Sequence, residues 1–269
     1  MQSPWTIPRR QTAGPRPTEV WRFAAARATG ATHLKRNEVC QDRYSVWSAA
    51  DVFVAAVADG AGSASRAEAG AKVAVDTAME HIRTSVLSGN VAWGEIIRAA
   101  ADAGRSAIVA VANDECRSVR DFACTLLLVI SSSSGGAALQ IGDGVIALKD
   151  NQSGGWSWVF WPQKGEYANM TRFLVDPDAM QVLESVDLPR GVFEVVLMTD
   201  GLEALALDYS DRTAHEPFFE GVLAPLRTTA GNGEILGLSA GLGAFLASQR
   251  VMNRTDDDLT LVLAARPMG

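Results

Sequence analysis

The sequence predicts an α+β protein, on three observations. Short runs rich in Val, Ile, Leu and aromatic residues are grouped in sequence, two stretches of helical periodicity interrupt them, and several of the runs end on Asp-Gly. Strands grouped in sequence, then a helical pair, then more strands, build segregated layers rather than a repeating βαβ unit.

Taken in order, residues 1–18, with four prolines and little apolar content, read as a flexible N-terminal arm, and 19–269 as one domain. Strands are expected over 20–29, 44–47, 52–58, 123–131, 137–141, 145–149, 156–161, 193–199 and 259–265. In 65–86, Ala71, Val75, Ala78, Ile82 and Val86 recur at helical spacing, and Trp93, Ile97, Ala100, Ala107 and Val111 do the same in 93–115. These two helices can pack as an antiparallel pair. A further helix is expected over 235–249, where Leu238, Leu242, Phe245 and Leu246 share a face. The tract SSSSGG at 131–136 reads as a hairpin loop, and alternation in WSWVFW puts Trp156 and Trp158 on one packing face.

Composition narrows the class. Of the 269 residues 48% are hydrophobic and 20% charged, the profile of a globular protein, and no apolar run reaches the roughly 20 residues that span a bilayer. No segment resembles a secretory leader, so a cytoplasmic protein without membrane contact is expected. The net charge of −7 would repel a nucleic-acid backbone, although Arg9, Arg10, Arg16, Arg22, Arg27, Lys35 and Arg36 stand near the N-terminus against the one acid Glu19. Cys40, Cys116 and Cys124 are odd in number and lack CxxC spacing, which suits reduced thiols rather than disulfides or a zinc ribbon.

The chemistry lies in a repeated device, an apolar strand ending in aspartate. It occurs as VFVAAVADG at Asp59, LQIGDG at Asp143 and VVLMTDG at Asp200, and in mirror form as DDDLTLVLAA at Asp256 to Asp258. Alone, Asp143-Gly144 is a common hairpin turn and the triple aspartate a solvated acidic turn. Together, like charges on several core-strand ends repel one another unless a cation neutralises them, and hard divalent ions take such oxygen ligands.

The ordered set NEVCQD (37–42), VADGAGSASRAEAGA (57–71), FACTLLLVI (122–130), IGDG (141–144), MTDGLEAL (198–205) and DDDLTLVL (256–263) resembles the PP2C-type, or PPM, metal-dependent serine/threonine protein phosphatases, in particular their bacterial branch. The resemblance spans residues 20–266 and implies a four-layer α-β-β-α sandwich with two central antiparallel sheets. It implies a binuclear Mn²⁺ or Mg²⁺ centre that activates water against a phosphate ester. Asp59 matches the bridging metal ligand, Gly60 the glycine whose carbonyl ligates, Asp42 the acid of the early motif, Asp200 and Asp257 further ligands, and Asp143 the aspartate of a weaker third site. The partners implied are a phosphoprotein substrate and a Ser/Thr kinase, and a monomer is expected.

The chain departs from that pattern at three positions. The histidine some members carry after the bridging Asp-Gly is Ala61. The acid expected four residues after Asp200 is Ala204, with Glu203 beside it. The arginine that grips substrate phosphate falls on Asn37, which leaves Arg36 and His33 as candidates. If 33–37 is extended, Arg36 points away from the metals and His33 shares the Asn37 face. A catalytically weak PP2C-like binding module and an unrelated two-metal nuclease or phosphodiesterase are the alternatives, the latter disfavoured by the acidic balance and only three histidines.

Overall fold

The computed structural model describes residues 20–152, 154–163 and 171–267. The expected arm at 1–18 lies outside them. One sheet is wholly antiparallel: β2 (Arg43–Ala49), β3 (Val52–Ala58), β4 (Leu126–Ser132), β5 (Gly135–Ile141) and β8 (Glu184–Leu188), in that spatial order. The other contains β1 (Arg22–Ala28), β6 (Val145–Asp150), β7 (Trp156–Trp158), β9 (Val192–Met198), β12 (Gly233–Glu234) and β13 (Leu259–Ala265), ordered β12-β1-β13-β9-β6-β7. Its pairings are antiparallel except β1 with the two-residue edge strand β12.

Alternation along the strands sets the layers. In β3, Phe53, Ala55 and Val57 meet Val262 and Ala264 of β13 in the core between the sheets. Val54, Ala56 and Ala58 turn the other way, onto α2 (Ala67–Leu87) and α3 (Trp93–Asp114). Leu261, Leu263 and Ala265 of β13 likewise turn outward, onto α6 (Glu216–Thr228) and α7 (Leu236–Leu246). The result is the expected four-layer α-β-β-α sandwich. Trp156 stacks on Phe219 of α6 at 4.7 Å with Trp158 packed on the same core, as the alternation requires.

Several boundaries differ from expectation for local reasons. The strand expected from 123 begins only at Leu126, because Thr125 is tied to Asp59 instead of a strand partner. The strand expected over 156–161 stops at Trp158. The helix expected over 235–249 ends at Leu246, and a separate turn, α8 (Gln249–Met252), follows. Segment 33–37 is not extended: α1 (Ala31–Arg36) is helical and Asn37 closes it with φ 56°. Two short helices, α4 (Ala179–Val182) and α5 (Glu203–Ala206), the 3₁₀ turns Val119–Phe122 and Asp200–Leu202, and the hairpin β10 (Leu207–Asp208) with β11 (Thr213–Ala214), complete the described elements.

A partly buried ion cluster ties α6 to the six-stranded sheet. Arg227 reaches Glu194 of β9, which is 2% exposed, and Glu220 on its own helix, while Lys149 of β6 and the Trp156 indole N–H both donate to Glu220.

Candidate active site

Strands of both sheets run out at the same end of the sandwich and bring their terminal carboxylates together there. Asp59 follows β3 and is clamped by its backbone: its N–H donates to Thr125 Oγ1 at 2.9 Å and its carbonyl accepts from Thr125 N at 2.8 Å. Asp200 follows β9 in a 3₁₀ turn (Asp200–Leu202), Asp143 sits between β5 and β6, and Asp257 precedes β13.

Asp42, just before β2, lies behind this group and is 1% exposed. Its Oδ2 accepts from Thr199 Oγ1 at 2.8 Å and Thr260 Oγ1 at 2.7 Å, and Thr260 N donates back to Thr199 Oγ1 at 3.0 Å. The other oxygen, Oδ1, is buried without a hydrogen-bond partner, as is Asp200 Oδ1. An unsatisfied buried acceptor is expensive, and a cation is one group that both oxygens could take as a partner.

The carboxyl groups register each other's charge. Burial first, then the charges of Asp42, Asp200 and Asp257, push Asp59 well above the usual carboxylate range. Burial and the neighbouring Asp143, Asp257 and Asp42 raise Asp200 to about 8. Asp42 is raised to about 6, chiefly by burial, against the opposing hydrogen bonds from the two threonines. Hydrogen bonding with the Asp59 carboxyl opposes the rise at both Asp42 and Asp200. Among the described residues no three His, Cys, Asp or Glu side chains form a set that could hold an ion unaided. An ion here would complete its shell with backbone carbonyls and water, as Mg²⁺-type sites commonly do.

Asp258 plays a different part. It is 1% exposed, and its two oxygens accept from Gly30 N at 2.7 Å and Gln41 N at 2.6 Å, with His33 Nδ1 2.9 Å away. It thereby pins the start of α1 and the loop before β2 against the turn that carries Asp257. Gly30 permits this approach, because a Cβ there would stand 2.2 Å from the Asp257 carbonyl carbon. Gly30→Ala should therefore displace Asp257 and lower kcat/KM at least tenfold while leaving most of the helical signal intact; native kinetics in that variant would show that the close approach is dispensable.

The open cavity of about 330 Å³ in front of these groups is lined by Asp59, Gly60, Asp143, Asp200, Asp257, His33 and Arg36. Of the candidate site residues, His33, Arg36, Asp59, Gly60, Asp143, Asp200 and Asp257 line the cavity and Asp42 lies behind it. The extended reading of 33–37 is corrected here: three residues apart on a helix, His33 and Arg36 share a face, and both reach the cavity. Glu203 does not replace the missing acid at Ala204, since it is buried in α5 and accepts from Tyr209 Oη. Thr171, whose hydroxyl donates to Asp143 Oδ2, was not anticipated. Nor were the buried roles of Thr199 and Asp258, although both adjoin motif aspartates in MTDG and DDDLT. Residues 164–170 lie outside the described residues.

The family model described as protein phosphatase 2C matches residues 29–247. The chain belongs to the protein phosphatase 2C family. Serine/threonine-protein phosphatase 3 of Escherichia coli (strain K12) is 36% identical over 250 residues, covering 91% of this chain and 98% of that protein. Among solved structures, the Mycobacterium tuberculosis serine/threonine phosphatase PstP/Ppp superposes with TM-score 0.59 at 18% identity, over 91% of this chain and 98% of that one. The catalytic domain of PstP in complex with two manganese ions gives 0.58 at 19%, over 92% and 98%. These structures share the sandwich fold with this PP2C chain.

Proposed function

We propose that this PP2C chain hydrolyses phosphoserine and phosphothreonine in proteins at a binuclear Mn²⁺ or Mg²⁺ centre held by Asp42, Asp59, Asp200, Asp257 and the Gly60 carbonyl. Asp143 would serve a third, weaker site. The observation that carries the reading is the cluster of buried, mutually repelling carboxylates with two orphaned oxygens. When bound, such ions activate water and neutralise charge on the phosphoryl group.

The protein's own side chains have distinct tasks. Thr199 and Thr260 hold Asp42 in one orientation, Thr125 fixes the height of Asp59, and Asp258 holds the Asp257 turn in register with α1. Arg36 and His33 line the cavity, where they would donate to the non-bridging phosphate oxygens. A guanidinium can grip two of these oxygens at once, and an imidazole held against Asp258 offers one N–H. Ala61 has no proton to give, so leaving-group protonation falls to His33 or to solvent.

The reading also supplies a partner and a place: a Ser/Thr kinase working on the same phosphoproteins, and a monomer in the cytoplasm. No described helix is long and apolar enough to cross a membrane.

Arg36→Ala and His33→Ala should each be assayed for phosphate release from a phosphothreonine peptide with Mn²⁺ present. The residue that grips phosphate should lose about tenfold or more in kcat/KM, roughly 1.4 kcal/mol. If both variants stay near native, phosphate is held by the metals and backbone alone.

A further inference from the structure

A cavity larger than the carboxylate site lies on the outer side of the six-stranded sheet. It is roughly 660 Å³ in volume and sits between α6, α7 and α8. Ala24 of β1 and Leu263 of β13 form its floor, and Phe218, Val222, Leu242 and Phe245 give it apolar walls. One further feature points to a ligand: Arg250 and Arg254, both exposed, stand at the edge of this apolar space with no ion-pair partner among the described residues. Gly221 of α6 and Gly241 of α7 also line it and are exposed, and a Cβ added at either would meet nothing within 4 Å, which leaves room for a larger side chain as a test.

We propose that this cavity binds a small amphipathic anion, its apolar body against Phe218, Leu242 and Phe245 and its carboxylate against Arg250 and Arg254. The volume is that of a small-molecule pocket, and an apolar lining with a few convergent polar groups is the usual make-up of one. The two arginines supply the charge complementarity that selects an anion over a neutral hydrocarbon. The site is linked to the carboxylate centre through the chain: α5, which contributes Ala204 and Leu205 to the wall, begins three residues after Asp200, and Arg254 precedes Asp257 by three.

Dodecanoate, kept below its micelle concentration, is the probe, titrated into the full chain by calorimetry with dodecanol as the uncharged control. The proposal expects one saturable site, at least tenfold tighter for the acid than the alcohol. The Arg250→Ala/Arg254→Ala double variant should lose that preference, and Gly241→Leu, which fills the cavity, should lose binding while keeping its Tm within a few degrees. If Gly241→Leu fails to fold, Gly221→Leu takes its place and the arginine variant still decides the charge requirement. Absence of binding, equal affinity for acid and alcohol, or unchanged affinity in the arginine variant would overturn the proposal. So would binding that appears only after residues 1–18 are removed, or a dimer in sedimentation that Gly241→Leu abolishes. The readout is binding alone, so it stands apart from what the carboxylate centre hydrolyses.

Discussion

Asp59→Asn is expected to reduce phosphate release from a phosphothreonine peptide by about three orders of magnitude or more, because it would remove the anionic ligand that the proposed centre shares. The fold should survive the change. The amide has nearly the same shape, and the backbone bonds between Asp59 and Thr125 remain. Without metal the variant should in fact be the more stable protein, and the sign follows from linkage. Asp59 is raised in the folded state from an ordinary value of 3.8, so the native carboxyl costs stability as pH rises above 3.8, and the cost grows until the folded value is passed. The stability advantage of the Asp59→Asn variant over the native protein should therefore widen from acid toward neutral and alkaline pH in the presence of chelator. An Asp59→Asn protein that is unfolded without metal, or that keeps native turnover, would contradict this account.

Arg227→Ala should be strongly destabilising although it lies outside the carboxylate site. It strands Glu194, whose side chain is 3% exposed, in the sheet with no countercharge. Breaking a buried pair from one side costs about 3 kcal/mol or more, which for a domain of this size lowers Tm by roughly 6–12 °C. Adding Glu194→Gln to the variant should recover much of the loss, because the uncompensated charge is then gone. Equal Tm values for the single and double variants would show that lost packing, not the stranded carboxylate, sets the cost. The same cluster sets an acid limit. The hydrogen bonds from Arg227 and Lys149 lower Glu220 from 4.5 to about 2, so its stabilisation is complete above pH 4.5 and fades as pH falls toward 2. In Arg227→Ala that part of the acid transition should flatten.

The layers were legible because alternation and helical spacing are strong wherever a face is buried. β3, β13, α2 and α3 all fall within two residues of expectation for that reason. What stayed hidden had weak or interrupted patterning. α6 carries Phe219, Leu223 and Leu226 at helical spacing, but Pro225 inside it breaks the propensity, and its stability comes from packing on the sheet and from Arg227. β8 is a polar edge strand, ESVDL, with only Leu188 buried. α1 is six residues long and is held by contacts distant in sequence, from Asp256 and Asp258, which no local window contains.

The site divides along the same line. Each aspartate that ends a strand is visible in the sequence, since Asp-Gly after an apolar run is a local pattern. The supporting groups are not. Nothing near Thr199 or Thr260 indicates that both hydroxyls converge on Asp42, 157 and 218 residues away. The chain also reads as though Glu203 could replace the acid absent at Ala204, until α5 turns that side chain toward Tyr209. A third ion at Asp143 should accordingly bind more weakly than the first two, and metal titration giving three equal sites would refute that.

The most direct test of the central claim is Mn²⁺ titrated into chelator-stripped protein while phosphate release from a phosphothreonine peptide and ion binding are followed together. The account predicts no release in excess chelator, then activity that rises and saturates as two ions are taken up. Turnover undiminished by chelator, or two ions bound with no turnover at any concentration, would contradict it, the latter leaving a metal-binding module rather than an enzyme.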